Sequence, residues 1–137
     1  MQSRSLHSNE AWYYFRMSLR KRPGGFRFAL NGIAIAWREE ANFRFHTAAA
    51  VVTLCAGLIF QISRIEWLIL LVLIGAVITS ELINTAFEEL CDMLKTEHDP
   101  HIAKIKDIAA GAVLVVAAIA LIGGALIFLP HLLHLFS

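Results

Sequence analysis

The sequence predicts an all-α membrane protein in which three transmembrane helices follow an amphipathic N-terminal helix. Of its 137 residues, 58% are hydrophobic and only 17% are charged, whereas soluble domains contain about 25% charged residues. The mean hydropathy is +0.63, and three long apolar runs follow residue 42. Because one compact unit of this length cannot bury so many apolar side chains, the surplus must face lipid.

The chain divides at a Pro23-Gly24-Gly25 segment that breaks regular structure. We expect residues 1–25 to form an N-terminal cytoplasmic extension and residues 26–137 to form one domain. The formal net charge of +1 gives no reason to expect a nucleic-acid partner. Cys55 and Cys91 fit neither a disulfide framework nor a zinc site, so we interpret both as packing residues.

The first element after the break is predicted to be an amphipathic helix over about residues 26–42. Its aromatic and aliphatic residues recur at helical spacing, with arginines and an asparagine on another face: Phe26, Leu30, Ile33, Trp37, then Arg27, Asn31 and Arg38. Such a helix lies along the cytoplasmic membrane surface. A soluble core helix is the alternative, but the sequence offers no soluble domain for it to pack into.

The three transmembrane helices are predicted over about residues 43–62, 66–90 and 106–129. The apolar part of the second, from Trp67 to Ile78, is only about 18 Å long, while the hydrocarbon layer is about 30 Å thick. This helix must therefore continue through polar residues to cross. We expect the third to stop before Pro130, because proline follows many helix ends.

The distribution of positive charge predicts the orientation. Eight of the twelve Lys and Arg residues precede residue 47, and three lie between the second and third spans: Lys95, Lys104 and Lys106. By the positive-inside rule, the N-terminus is cytoplasmic and the C-terminus lies outside the cell membrane. The first apolar run begins too late, and lacks the cleavage site, for a signal peptide.

Polar side chains in the second span mark a candidate functional centre. Glu81, Asn84, Glu88 and Asp92 occupy a helical stripe about 80° wide. Glu88 and Asp92 alone have a simpler interpretation as a solvated helix end. Glu81 lies deeper, and an ionisable group inside a membrane indicates a function.

Two further polar groups lie at the same cytoplasmic depth. Glu40 precedes the first span, where a helix continuous from Phe26 places it on the apolar stripe. Lys106 and Asp107 begin the third span. Carboxylates from two helices together with lysine suit a site for Mg²⁺ and a polyphosphate, and ATP is the natural candidate. Neither common glycine-rich nucleotide loop is present, so side chains and metal must bind the phosphates.

Three motifs together resemble the prokaryotic diacylglycerol kinase family, which includes undecaprenol kinase. They are Glu-Leu-Ile-Asn-Thr-Ala-Phe-Glu-Glu-Leu-Cys-Asp at 81–92, Glu40-x-Asn-Phe-Arg-x-His46, and Ala-Lys-Ile-Lys-Asp-Ile-Ala-Ala-Gly-Ala-Val-Leu at 103–114. The resemblance covers about residues 26–128. It implies a homotrimeric helix bundle that moves the γ-phosphoryl group of ATP to the hydroxyl of a membrane lipid, with sites shared between subunits.

The resemblance also implies a role for each matching residue. Glu81 is the general base and Asn84 helps to position it, while Glu40 and Glu88 hold the Mg²⁺ that accompanies ATP. The implied nucleotide-side residues are Asp92, Glu97, Lys106 and Asp107. His46 and Ala110 stand where the diacylglycerol branch has an acid and a serine, and they favour the undecaprenol branch.

Two other functions remain open from the residues alone. A small proton- or cation-coupled transporter would use Glu81 as its carrier site, and a non-catalytic assembly subunit would use no acid chemically. A transporter does not need Glu40, Lys106 and Asp107 gathered on the cytoplasmic side. The pair His98 and His101 we interpret as part of a solvated loop, because Pro100 interrupts any helix joining them.

Overall fold

The computed structural model describes residues 25–94 and 99–134, which form four helices and contain no strand. These are α1 (Gly25–Glu39), α2 (Ala41–Ile59), α3 (Arg64–Leu94) and α4 (Pro100–His134). The last three are long and apolar enough to cross a membrane, which confirms the predicted all-helical class with three spans. The described residues divide into two units at the boundary between Ala34 and Ile35.

Helix α1 ends earlier than the sequence indicates, and this corrects the expectation of a helix continuous through Glu40. Glu40 has extended backbone angles of φ −100° and ψ 117° and forms the N-cap of α2. The guanidinium of Arg44 donates hydrogen bonds to the carbonyls of Trp37 and Arg38, at 3.2 and 3.0 Å. These carbonyls are among the last of α1, which lack intrahelical partners, so Arg44 stabilises the break.

The connection from α2 to α3 is closed by backbone hydrogen bonds and a capping box. Gln61 has a left-handed φ of 50°, and the Ile62 amide donates to the Gly57 carbonyl at 3.3 Å. The Ser63 amide donates to the Glu66 carboxylate at 2.7 Å, and the Glu66 amide donates to the Ser63 hydroxyl at 3.3 Å. This reciprocal pair starts α3, and it makes α2 and α3 antiparallel neighbours.

A seam of buried and half-buried side chains runs along α3 with alternating steps of three and four residues. The seam residues are Trp67, Leu70, Ile74, Val77, Glu81, Asn84, Glu88 and Cys91. Helix α4 has a matching inward face: Ile102, Lys106, Ala109, Val113, Val116, Ala120, Gly123 and Ile127. Such spacing is typical of two helices packed along their length. The polar residues of α3 thus occupy the same seam as its apolar ones.

Helix α4 does not stop before Pro130, so that expectation is wrong. The helix runs through Pro130 to His134. Proline lacks the amide that would bond the carbonyl four residues earlier, but contacts in the following turn hold the chain. The His131 Nδ1 lies 2.9 Å from the Ile127 carbonyl. Its Nε2 lies 3.8 Å from the Glu66 carboxylate, and its ring packs against Phe60.

Candidate active site

The centre of the candidate site is a buried carboxylate that faces a histidine. Glu81 is only 3% exposed, and its Oε1 lies 3.1 Å from Nε2 of His46 on α2. Phe43, one turn before His46, is also buried, so this face of α2 packs inward against α3. Burying a carboxylate is costly without a partner, and His46 provides it.

One turn farther along α3, Asn84 is buried beside Glu88. Its Nδ2 donates a hydrogen bond of 2.9 Å to Oε1 of Glu88. The Asn84 Oδ1 is buried and has no hydrogen-bond partner among the residues that the structure describes. Because buried polar atoms are nearly always paired, this oxygen is available to accept a hydrogen bond from a bound molecule.

Asn84 also lines a groove of about 390 Å³ between α3 and α4. Aliphatic, aromatic and alanine side chains form nearly all of its wall, and its other lining residues are Ser80, Ile83, Phe87, Ile105, Ile108, Ala109 and Ala112. The groove is therefore suited to hydrocarbon along its length, with Ser80 and Asn84 as the polar residues that line it.

Glu40 lies within electrostatic reach of the acids near the end of α3. Partial burial raises the pKa of Glu40, and the negative charges of Glu88 and Glu89 raise it further, while Arg44 acts in the opposite direction. The negative charges of Glu40 and Glu88 therefore act on each other. Such repulsion is relieved by a proton or a cation.

The nucleotide-side residues predicted from the sequence have different surroundings. Lys106 and Asp92 form an ion pair at 2.5 Å between α4 and α3, and the Asp92 side chain is 66% exposed. Asp107 is exposed beside Lys106. Glu97, and His98 of the loop considered above, lie outside the described residues. The buried seam position at this level belongs to Cys91 rather than Asp92.

His46 belongs to the Glu40-x-Asn-Phe-Arg-x-His46 motif, but the sequence does not identify it as the partner of Glu81. A spacing signal was available, because His46 follows Phe43 by three residues and so shares its inward helical face. That signal does not tell which residue of α3 lies opposite. The pairing depends on the register of two helices, which the structure supplies.

The arrangement of acidic side chains shows which kind of divalent cation site the chain can form. The described part of the chain contains no group of three or more His, Cys, Asp or Glu side chains arranged around one ion. Glu40 and Glu88 do interact electrostatically. One or two carboxylates are what a cation bound together with a nucleotide requires, because phosphates and water complete its shell. These residues therefore fit a metal carried by ATP better than a resident metal.

A helical membrane protein with a buried carboxylate, a neighbouring pair of acids and a surface lysine has the groups of a membrane-embedded phosphotransferase. The comparisons with known proteins agree. The family described as prokaryotic diacylglycerol kinase matches residues 27–128, and the chain belongs to this family. It is an ATP-dependent membrane lipid kinase, which confirms the predicted activity, and as a kinase it uses a divalent metal linked to ATP.

Individual relatives carry the same kind of name. Undecaprenol kinase of Bacillus subtilis (strain 168) is 43% identical over 126 residues, covering 92% of this chain and 96% of that protein. A diacylglycerol kinase of Synechocystis sp. is 38% identical over 111 residues, 80% of this chain and 63% of that protein. The diacylglycerol kinase of Escherichia coli (strain K12) is 24% identical over 104 residues, 76% and 85% respectively. None of these relatives favours a transporter.

Proposed function

We propose that this kinase phosphorylates the hydroxyl of a polyprenol such as undecaprenol, with diacylglycerol as the second candidate. Support comes from the relative named undecaprenol kinase, which is similar over nearly the full length of both chains. The groove beside Asn84 lies between two of the membrane-length helices and has apolar walls. It suits the hydrocarbon part of the acceptor, whose hydroxyl then reaches the polar end of the seam.

Glu81 is proposed as the general base. The acceptor's oxygen forms a bond to the γ-phosphorus of ATP, the bond from that phosphorus to the bridging oxygen breaks, and ADP leaves. Glu81 accepts the hydroxyl proton, and the free Oδ1 of Asn84 orients the hydroxyl by accepting a hydrogen bond. The buried Glu81 carboxylate is the single observation that carries this proposal. An ionisable group inside a membrane is energetically costly, and its presence indicates a function.

Glu40 and Glu88 are proposed to bind the metal that accompanies ATP, and Mg²⁺ is the cation their hard oxygens suit. When bound, this ion neutralises phosphate charge. Asp92, Glu97, Lys106 and Asp107 are proposed for the nucleotide side, with Lys106 facing phosphate. Its pairing with Asp92 keeps a cation at the end of the seam.

The arrangement in the membrane is also a proposal. Residues 26–137 form the kinase domain, consistent with a family match that begins at residue 27, and residues 1–25 are its cytoplasmic extension. Helix α1 lies at the cytoplasmic surface, as its exposed Phe26 and Trp37 suggest. The N-terminus is cytoplasmic, the C-terminus is outside, and three copies assemble with shared sites.

The test is lipid phosphorylation by the purified chain in detergent. Mg-ATP is supplied with undecaprenol and, separately, with diacylglycerol, and phosphate transfer is measured for wild type and Glu81→Gln. We expect transfer to undecaprenol to exceed transfer to diacylglycerol, and Glu81→Gln to abolish it. Glu66→Gln, a carboxylate change at the opposite end of α3, is the matched control and should retain activity. Faster transfer to diacylglycerol would reverse the acceptor assignment, and an active Glu81→Gln would remove the base.

A further inference from the structure

The buried Glu81 carboxylate needs a route for the proton that it takes from the acceptor. Each turnover releases one proton, because the acceptor hydroxyl loses its proton when its oxygen bonds to the γ-phosphorus. Neither ADP nor the lipid phosphate needs to bind this proton. The Glu81 side chain is only 4% exposed, so it has almost no contact with water of its own. If Glu81 could not lose this proton, the enzyme would stop after one turnover.

His46 is the group placed to receive that proton. Its Nε2 lies 3.1 Å from Oε1 of Glu81, and its side chain is 20% exposed. The imidazole therefore contacts the buried carboxylate on one side and reaches the protein surface on the other. The Phe45 ring packs edge-on against it, with centroids 5.4 Å apart, which restricts its rotation.

We propose that His46 is a positioning residue that also returns Glu81 to its reactive form by relaying the proton to water. The proton moves from the acceptor hydroxyl to Glu81, from Glu81 to Nε2 of His46, and from the imidazolium to water. No oxidant or further reactant is needed. The contact also directs Oε1 toward His46 and leaves the other carboxylate oxygen for the hydroxyl. This inference rests on the proposed role of Glu81 as the base.

The groups around the pair indicate on which side the proton leaves. Among the described residues, Glu88 on α3 and Glu40 before α2 also act on Glu81, and Arg44 lies two residues before His46. The metal and nucleotide would occupy the Glu40 and Glu88 side. Repulsion between proton and cation then favours the route through the partly exposed imidazole of His46.

The experiment compares His46→Gln and His46→Ala with wild type. Glutamine keeps a polar side chain but cannot relay a proton. We expect His46→Gln to lower kcat by on the order of 10-fold or more, with KM for Mg-ATP and for the lipid changed less than twofold. The rise of kcat across the range in which histidines ionise, about pH 5 to 8, should disappear in this variant.

His46→Ala supplies a second measurement. Added free imidazole should restore part of its activity in a saturable way, which a merely structural role of His46 does not explain. His131→Ala, at the opposite end of the bundle, is the control, and imidazole should leave its rate unchanged. Thermal unfolding of each variant verifies folding, and His46→Gln decides the matter if His46→Ala does not fold.

Two outcomes would overturn the relay alone. One is an active wild type with a His46→Gln variant of unchanged kcat and pH profile, and the other is a folded, inactive His46→Ala that imidazole does not restore. A wild type that phosphorylates no lipid alcohol would overturn the proposed function and the relay with it. The wild-type assay is run first, so the two failures are distinguished.

Discussion

Asn84 donates its side-chain amide to Glu88 across one turn of α3, at 2.9 Å, and its carbonyl oxygen is then left without a partner among the described residues. The amide therefore links two parts of the site. Its nitrogen fixes a carboxylate proposed to bind metal, and its oxygen faces away from that carboxylate. A side chain with both a donor and an acceptor is required at this position.

Replacing Asn84 should disable the kinase without unfolding it. Asn84→Asp removes the donor and places a second negative charge beside Glu88, so we expect kcat to fall about 100-fold, as misplacement of reacting groups commonly does. Lipid phosphorylation at saturating Mg-ATP measures this. Thr53→Val, which removes a hydroxyl that donates to the Ala49 carbonyl within α2, is the control. An Asn84→Asp variant with more than half of wild-type kcat would contradict the role of the amide.

The exposed ion pair of Asp92 with Lys106 should contribute more to ATP binding than to the stability of the fold. Exposed pairs contribute little to stability, and Asp92 is mostly solvated. We expect Lys106→Ala to raise KM for ATP severalfold, with little change in unfolding temperature. The double variant Asp92→Lys/Lys106→Asp keeps the pair but moves the cation to α3, and it should not recover ATP affinity. Full recovery of ATP affinity would show that ATP binding requires the ion pair but does not require the lysine to be on α4.

The raised pKa of Glu40 predicts how protons and metal compete. A carboxyl whose pKa is raised retains its proton to a higher pH than an ordinary glutamate, and metal must displace that proton. We expect the Mg²⁺ concentration for half-maximal activity to increase as the pH is lowered toward this pKa. Glu40→Gln should weaken Mg²⁺ activation and make it less dependent on pH. A pH dependence identical to wild type would exclude Glu40 from the metal site.

The same shift determines a stability effect. Since folding raises this pKa, the native state holds the proton more tightly than the unfolded state, and without divalent cation the fold loses stability as pH rises through the raised value. Added Mg²⁺ should reverse the loss, as thermal unfolding can measure. Glu88→Ala should reduce both the repulsion and the Mg²⁺ response, and it should raise the Mg²⁺ requirement or abolish turnover.

Packing between α2 and α3 predicts a difference between two glycines. A Cβ built on Gly57 lies 2.9 Å from the Trp67 ring and 3.2 Å from Ile62, whereas a Cβ on Gly75 meets nothing within 4 Å. Overpacking costs about 1–3 kcal/mol. Gly57→Ala should therefore lower the unfolding temperature, and Gly75→Ala should not. Adding Trp67→Phe makes room and should restore part of the loss; equal unfolding temperatures for the two alanine variants would contradict this packing.

Hydropathy is sufficient to predict the three spans, because a helix that crosses the hydrocarbon layer must be long and apolar. Helical spacing was also sufficient to place Glu81, Asn84 and Glu88 on one inward face. The prediction that Asp92 shares this face is wrong, because Cys91 is buried in its place. A straight helix turns about 100° per residue, whereas the packed seam repeats every 3.5 residues. The difference accumulates along the helix, so the last member of the stripe is the one in error.

The remaining differences depend on contacts between segments. The break at Glu40 is held by Arg44, whose hydrogen bonds reach back over six and seven residues, and no local propensity indicates them. Helix α4 passes Pro130, and there His131 contacts Glu66 at the start of α3 and Phe60 at the end of α2. The partner of Glu81 likewise follows from how α2 and α3 are aligned.

The continuous seam of α3 makes its length part of the chemistry. From Leu70 to Cys91, apolar and acidic side chains share one register with no interruption. Inserting a single residue after Val77 would rotate everything beyond it by about 100° and swing the acids toward the acyl chains, although no reactive group had been altered. The number of residues in the apolar half of α3 thus sets both the depth and the rotation of its acidic side chains. Deletions in that half should reduce turnover as much as removing a carboxylate.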